Sequence, residues 1–194
     1  MSAEKDSPTE RHRRRVSEGR NVILTEEGSE AGLQEEVAGD LAALRHQVRE
    51  LTDRAAISEL IDRYVVLLDT QDENGFDESW PRTLFTEDVR LHFPIGTHEG
   101  IPGVAEFHHA AKQKFDRTLH LSANHVIRLD GDRAHVRFHL IATHVHHDGG
   151  APLFDIGGHY TGEAVRTTAG WRFREWGFHL TWASGPGPDG KPVM

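Results

Sequence analysis

Three observations predict an α+β fold for this 194-residue chain. Apolar residues recur at helical spacing in the first part, strand alternation takes over after residue 118, and the long candidate strands are joined by short turns. Sequential strands linked by tight turns make an antiparallel sheet, and the helices precede most of it, which sets the class.

Residues 1–32 are polar and charged and read as a flexible arm. Arg11, Arg13, Arg14 and Arg15 form a local basic cluster, better explained as a solvated tail than as an anion-binding patch. Over residues 33–51, Leu33, Val37, Leu41, Leu44, Val48 and Leu51 recur at spacings of four and three, the stripe of an amphipathic helical extension. Gly39 costs that helix about 1 kcal/mol. The stripe folds back on its own domain or packs on a neighbouring subunit.

A domain over residues 52–182 follows, with a tail at 183–194 expected to be flexible. Its first helix, over 53–70, carries Ile57, Leu60, Ile61, Tyr64, Val65 and Leu68 on one broad face, with Asp53 as an N-terminal cap. Nothing between Val48 and Ile57 breaks the chain, so this helix can join the preceding one. An acidic loop with Gly75 leads to a short helix carrying Phe76, Trp80, Leu84 and Phe85, where Pro81 fits only near the first turn. Asp88 to Pro94 reads as a strand, IGTHEGIPG as a turn, and 103–115 as a helix with Val104, Phe107 and Ala111 inward. Strands are then expected over 119–129, 133–146, 156–166 and 171–182, bounded by DGD, HHDGG and TTAG.

Composition narrows the chemistry. A formal charge of −9 works against binding a phosphate backbone, so no nucleic-acid partner is expected. With no cysteine, disulfides, thiolate nucleophiles and Cys-type metal sites are excluded. No apolar run approaches the roughly 20 residues of a membrane span, and the charged first residues lack the apolar stretch of a secretory signal, so a cytoplasmic protein is expected. No Gly-rich phosphate loop follows a candidate strand, and no cofactor is expected.

The ordered set YVVLLD, LFTEDVRLHF, a turn with EG, a helix, LHLSANHVIRLDGDRAHVRF and GGHYTGEAVRTTAGWRF resembles the SnoaL-like branch of the NTF2-like superfamily, over about residues 50–182. That branch is similar to scytalone dehydratase, lindane dehydrochlorinase and polyketide cyclases. The resemblance implies an NTF2-like cone, a curved, mixed but mostly antiparallel sheet packed over N-terminal helices with an apolar pocket at its open end. It does not imply one reaction, because this fold hosts isomerases, dehydratases, cyclases and binding proteins alike.

Two residues match the dehydratase and dehydrochlorinase dyad, Asp69 at the end of YVVLLD and His120 at the start of LHLSAN. Asp69 lies four residues after Val65 and eight after Ile61, at the edge of the buried helix face. A carboxylate there needs a partner, and a histidine held by one ring nitrogen keeps the other as a base. Without the resemblance, Asp69 simply ends a helix in solvent and His120 decorates a strand. Tyr160 and Arg166 match common family positions, and either could steady an oxyanion. A core aromatic and a surface ion pair are the ordinary alternatives.

Alternation along 133–146 puts Val136, Phe138, Leu140, Ala142, His144 and His146 on the more apolar face. In 171–182 the face bearing Arg172 and Arg174 turns apolar at Trp176, Phe178 and Leu180, so its downstream half is the candidate wall. Tyr64, Trp80, Phe93, Trp176 and Phe178 are the expected pocket residues. His144, His146 and Asp148 make a two-histidine, one-carboxylate set of metal-donor types, but a solvated cluster is the better explanation and no metal is expected. The expectation is a cofactor-independent lyase, cyclase or isomerase acting on a small hydrophobic, oxygenated, polyketide-like metabolite. The alternative is a noncatalytic small-ligand binding or assembly protein. A homodimer or homotrimer is expected.

Overall fold

Side chains alternate cleanly between buried and exposed over residues 133–142, and the buried set there builds one face of the core. A computed structural model of the chain describes residues 26–70, 78–149 and 152–191. The chain divides into two compact units, residues 1–44 and 45–194. The elements in order are α1 (Glu26–Thr70), α2 (Pro81–Leu84), β1 (Phe85–Phe93), β2 (Gly96–Glu99), α3 (Val104–Lys112), β3 (Arg117–Asp130), β4 (Arg133–Val145), β5 (Phe154–Thr167) and β6 (Gly170–Ser184).

The two expected helices are one, α1, as the unbroken sequence permits. Residues 26–32, assigned above to the flexible arm, are helical. The rest of the arm, with its arginine cluster, and the Gly75 loop lie outside the described residues. In the first unit Leu33, Val37, Leu41 and Leu44 are exposed. In the second unit Val48 and Leu51 are exposed as well, and the buried stripe of α1 begins at Asp53 and continues through Ile57, Leu60, Ile61 and Tyr64.

The six strands form one mixed sheet in the order β2-β1-β6-β5-β4-β3, antiparallel throughout except where β1 runs parallel to β6. It curves over the α1 stripe to give the expected NTF2-like cone, with Tyr64, Phe138, Phe173 and Trp176 fully buried at the centre. β2 replaces part of the expected turn. Its sequence, GTHE, is too short and polar to announce a strand, and pairing with β1 supplies the order.

β6 explains the change of character noted in its sequence. Glu163 pairs with Glu175 and Ala164 with Phe173, so Arg174 is an extra residue, a β-bulge. The bulge brings Phe173 and Trp176 onto the same face, where their rings stack 3.8 Å apart. A second bulge interrupts β3 between Ala123 and Val126, where Asn124 takes φ 57°.

Asp53 is a correction. It is not a cap but lies inside α1, buried, where Arg166 donates to its two oxygens at 2.8 and 2.6 Å and Trp171 Nε1 donates at 3.1 Å. In the described part of the tail, β6 runs to Ser184, Gly187 N–H donates to the Lys191 carbonyl, and Pro188 borders the cavity described next.

Candidate active site

The last turn of α1 and the first residues of β3 meet at Asp69 and His120. His120 Nδ1–H donates to Asp69 Oδ1 at 2.6 Å, and the His120 backbone N–H donates to Oδ2 at 2.9 Å. The Thr118 hydroxyl adds a third bond, 2.7 Å to Oδ1. Burial pushes the Asp69 carboxyl up, but the His120 and Thr118 hydrogen bonds outweigh it and hold the group below its ordinary value. With Nδ1–H committed to a carboxylate, the neutral ring keeps its basic lone pair on Nε2.

His120 borders a cavity of about 310 Å³ between the helices and the concave sheet face. Leu68, Phe93, Phe107, Phe115, Ile156 and Phe178 give it a largely apolar wall. The apolar face of β4 is the inward one, and it carries His144 into that wall. His144 meets His120 edge to face, 5.7 Å between ring centres, and its Nδ1–H donates to the Phe154 carbonyl at 3.0 Å. Burial depresses its pKa to about 4, so the ring is neutral at ordinary pH and presents Nε2 as an acceptor.

A second polar line crosses the cavity floor. His108 Nδ1–H donates to the Val104 carbonyl at 2.9 Å, one turn back in α3. A carbonyl only accepts, so His108 Nε2 is bare and accepts a hydrogen bond from the Tyr64 hydroxyl at 3.2 Å. Tyr160 lies beyond, its hydroxyl 3.4 Å from that of Tyr64 and its ring stacked on Phe138 at 5.0 Å. Burial raises both tyrosine pKa values and lowers that of His108 to about 4, so all three stay neutral. The Tyr160 proton, at a long 3.4 Å from its neighbour, is available to a ligand oxygen at normal hydrogen-bond distance.

Of the expected site residues, His120, Tyr64, Tyr160, Phe93 and Phe178 border the cavity, and Asp69 is joined to His120. Three do not. Arg166 binds Asp53 and Asp132 and lies 4.5 Å over the Trp171 ring, because the buried Asp53 carboxylate needs a counter-charge. Trp176 is core, packed on Phe173 and Tyr64, and Trp80 is buried edge-on to His108. His144, His146 and His147 each engage a different carbonyl, of Phe154, Pro186 and Gln113, and among the described residues no group of three metal-donor side chains is gathered.

Sequence reasoning missed His108 and Lys112, both on the cavity wall and both buried. The signal was present, since Val104, His108 and Lys112 fall at i, i+4 and i+8 on the inward stripe of α3. Lys112 Nζ donates to the Asp69 backbone carbonyl at 2.6 Å.

A profile of the SnoaL-like domain matches residues 49–177. Comparison with curated proteins gave no match. Among solved structures, the Kfla4162 protein of Kribbella flavida is 28% identical, with TM-score 0.63, covering 70% of this chain and 95% of that one. The hexachlorocyclohexane dehydrochlorinase LinA-type3 of Novosphingobium barchaimii is 18% identical, with TM-score 0.63 and coverages of 72% and 93%. An NTF2-like superfamily protein of Salmonella enterica is 23% identical, with TM-score 0.60 and coverages of 71% and 97%. At these last two identities the likeness shows the fold.

Proposed function

Because the chain belongs to the SnoaL-like domain family, we propose that it is a cofactor-independent lyase, cyclase or isomerase that moves a proton on a small, hydrophobic, oxygenated substrate, of polyketide-like chemistry. The observation that carries this reading is the 2.6 Å bond from His120 Nδ1 to Asp69 at the edge of an apolar cavity. A solvated helix end and a strand-surface histidine would have no reason to share it.

In the proposed step, His120 Nε2 takes a proton from a carbon beside a carbonyl, and the C–H electron pair moves onto the carbonyl oxygen. Asp69 holds the ring in the Nδ1–H tautomer and stabilises the imidazolium that forms. Tyr160 donates its proton toward the oxyanion, while His108 keeps the Tyr64 hydroxyl turned away from it. His120 then returns the proton to carbon in an isomerisation or to a departing hydroxyl in a dehydration. Arg166, engaged with Asp53 and Asp132, takes no part.

The test is deuterium uptake from D₂O into a bicyclic aromatic ketone such as 2-tetralone, followed by mass spectrometry. Uptake above the buffer rate that falls by more than about tenfold in His120→Ala and Asp69→Asn supports general base catalysis. Ketone binding without uptake in the wild type supports the noncatalytic ligand-binding alternative and overturns the proposal.

A further inference from the structure

The cavity beside His120 has a mouth built from three segments of chain. Most of the residues that border it are buried or half-buried. The exposed ones are Pro94 and Ile95 in the turn between β1 and β2, Lys114 just after α3, and Pro188 in the tail. Pro94 and Ile95 sit in the tight turn of a paired hairpin, closed where Phe93 pairs with Gly96. Residues 185–191 lie beyond the end of β6 and belong to none of the helices or strands of the sheet.

The tail segment is nevertheless placed. Gly185 takes φ 83°, and a Cβ there would run into the Leu153 carbonyl oxygen, so the turn out of β6 is open to glycine alone. One residue on, the Pro186 carbonyl accepts a hydrogen bond from His146 Nε2–H at 3.0 Å. Gly187 N–H donates to the Lys191 carbonyl at 2.7 Å and Gly190 N–H to the Gly187 carbonyl at 2.9 Å, which closes residues 187–191 into a turn with Pro188 on the rim. Pro186 and Pro188 fix φ on either side of Gly187 and stiffen the piece between hinge and rim. The latch is joined to the cavity wall, because the His146 ring lies 5.4 Å from that of Phe115, a lining residue. Ordering these residues costs conformational entropy, and a hydrogen bond such as that from His146 returns only part of it, so the latch releases at low cost. Cheap local release at the mouth of a cavity is the property of a gate.

We propose that residues 185–191 are the gate of this cavity, hinged at Gly185 and latched by His146, and that a small hydrophobic ligand enters and leaves by displacing them. The proposal rests on the reading of this cavity as the ligand site and is independent of the proton step at His120. With the latch made, Pro188 completes an apolar rim with Pro94 and Ile95 and keeps water from the base. With it released, the mouth widens on the tail side alone, since the hairpin and α3 hold the other two.

Binding kinetics test this with no turnover required, so the outcome is separate from that of deuterium uptake. The probe is 2-tetralone, mixed with the full chain in stopped flow and followed by tryptophan fluorescence. Three variants disable the gate by different routes. His146→Leu removes the latch and keeps an apolar side chain against Phe115, Gly185→Ala prevents the tail from seating beside Leu153, and a chain ending at Ser184 lacks the segment. In each, kon and koff should both rise by about tenfold, as for an open form populated at about one part in ten, because a gate that no longer closes speeds passage in both directions. Kd should change by less than about twofold, which also reports that the cavity is intact. Rates unchanged in these variants overturn the proposal and leave the tail a bystander. A koff that rises alone, with Kd weakened in proportion, overturns it as well and makes Pro188 a fixed ligand contact. A wild type that does not bind the ketone fails the ligand-site reading, and the gate with it.

Discussion

Asp69 and His120 are joined twice, through the ring Nδ1–H and through the backbone N–H, one bond to each carboxylate oxygen. The double attachment fixes the carboxylate plane as well as the ring, so β3 cannot slide against the end of α1 without breaking both bonds. In Asp69→Asn the amide can present only one oxygen, so one N–H loses its acceptor and the imidazolium loses its counter-charge. Deuterium uptake should fall by about 10²-fold or more, with KM for the ketone changed less than kcat. Steady-state kinetics beside circular dichroism checks this, and equal losses in a variant that has also unfolded would assign Asp69 a structural role instead.

Tyr160→Phe keeps the ring on Phe138 and removes one buried hydroxyl. Ketone turnover should drop by about 10- to 100-fold, within the range for loss of one oxyanion donor, while thermal stability shifts little. Unchanged turnover would assign the oxyanion to other donors.

Stability should depend on pH in the range where histidine ordinarily titrates. His108 and His144 both have folded pKa values lowered to about 4 by burial, below the ordinary 6.5. Between those values the unfolded chain binds protons that the folded chain refuses, so stability falls as pH drops from about 6.5 toward 4. The slope is up to about 1.4 kcal/mol per pH unit for each histidine. Denaturant melts across that range measure it, and His108→Gln should remove part of the slope. A flat profile in the wild type would contradict the buried, neutral assignment.

The Asp53 clamp predicts a second, more acidic limb. Hydrogen bonds from Arg166 hold the Asp53 carboxyl below its ordinary 3.8 despite the opposing effect of burial. Its contribution is therefore present above the ordinary value and lost as pH falls through the lower folded one. Asp53→Asn should destabilise the domain by about 2 kcal/mol or more at neutral pH and flatten that limb, with Arg166 still paired to Asp132. The cavity lies elsewhere, so ligand affinity in the folded variant should not change.

Association is expected to use the exposed leucines of the N-terminal extension. Leu41 and Leu44 are 43% and 55% exposed, on a stripe of heptad spacing. Leu41→Glu with Leu44→Glu should lower the native mass in sedimentation velocity while the melting of the SnoaL-like domain is unchanged. An unaltered mass would remove the extension from assembly.

The strands were legible because period-two alternation survives single substitutions, and all four long ones fall within a few residues of their expected bounds. Asp69 and His120 were legible only through the resemblance, since the residues alone fit a solvated helix end equally well. Arg166 was taken from a family match with an ion pair as the ordinary alternative, and its guanidinium is engaged by Asp53 and Asp132, the first a pairing across 113 residues of sequence that no local pattern reveals. Lys112 and His108 were overlooked because only the apolar residues of that helix, Val104, Phe107 and Ala111, were read as its inward face. Trp176 was misassigned for a different reason. Reading parity straight through β6 carries no knowledge of the extra residue at Arg174.

That extra residue reverses the odd-even parity of β6 at Arg174. Upstream of it, odd-numbered Trp171 and Phe173 point inward; downstream, even-numbered Trp176 and Phe178 do. Without the half-step a single strand could not both seal the bottom of the cone and line its mouth, because one of those two jobs would fall to side chains aimed at water. The separation of scaffold from binding chamber along this strand is therefore set by a count of one residue.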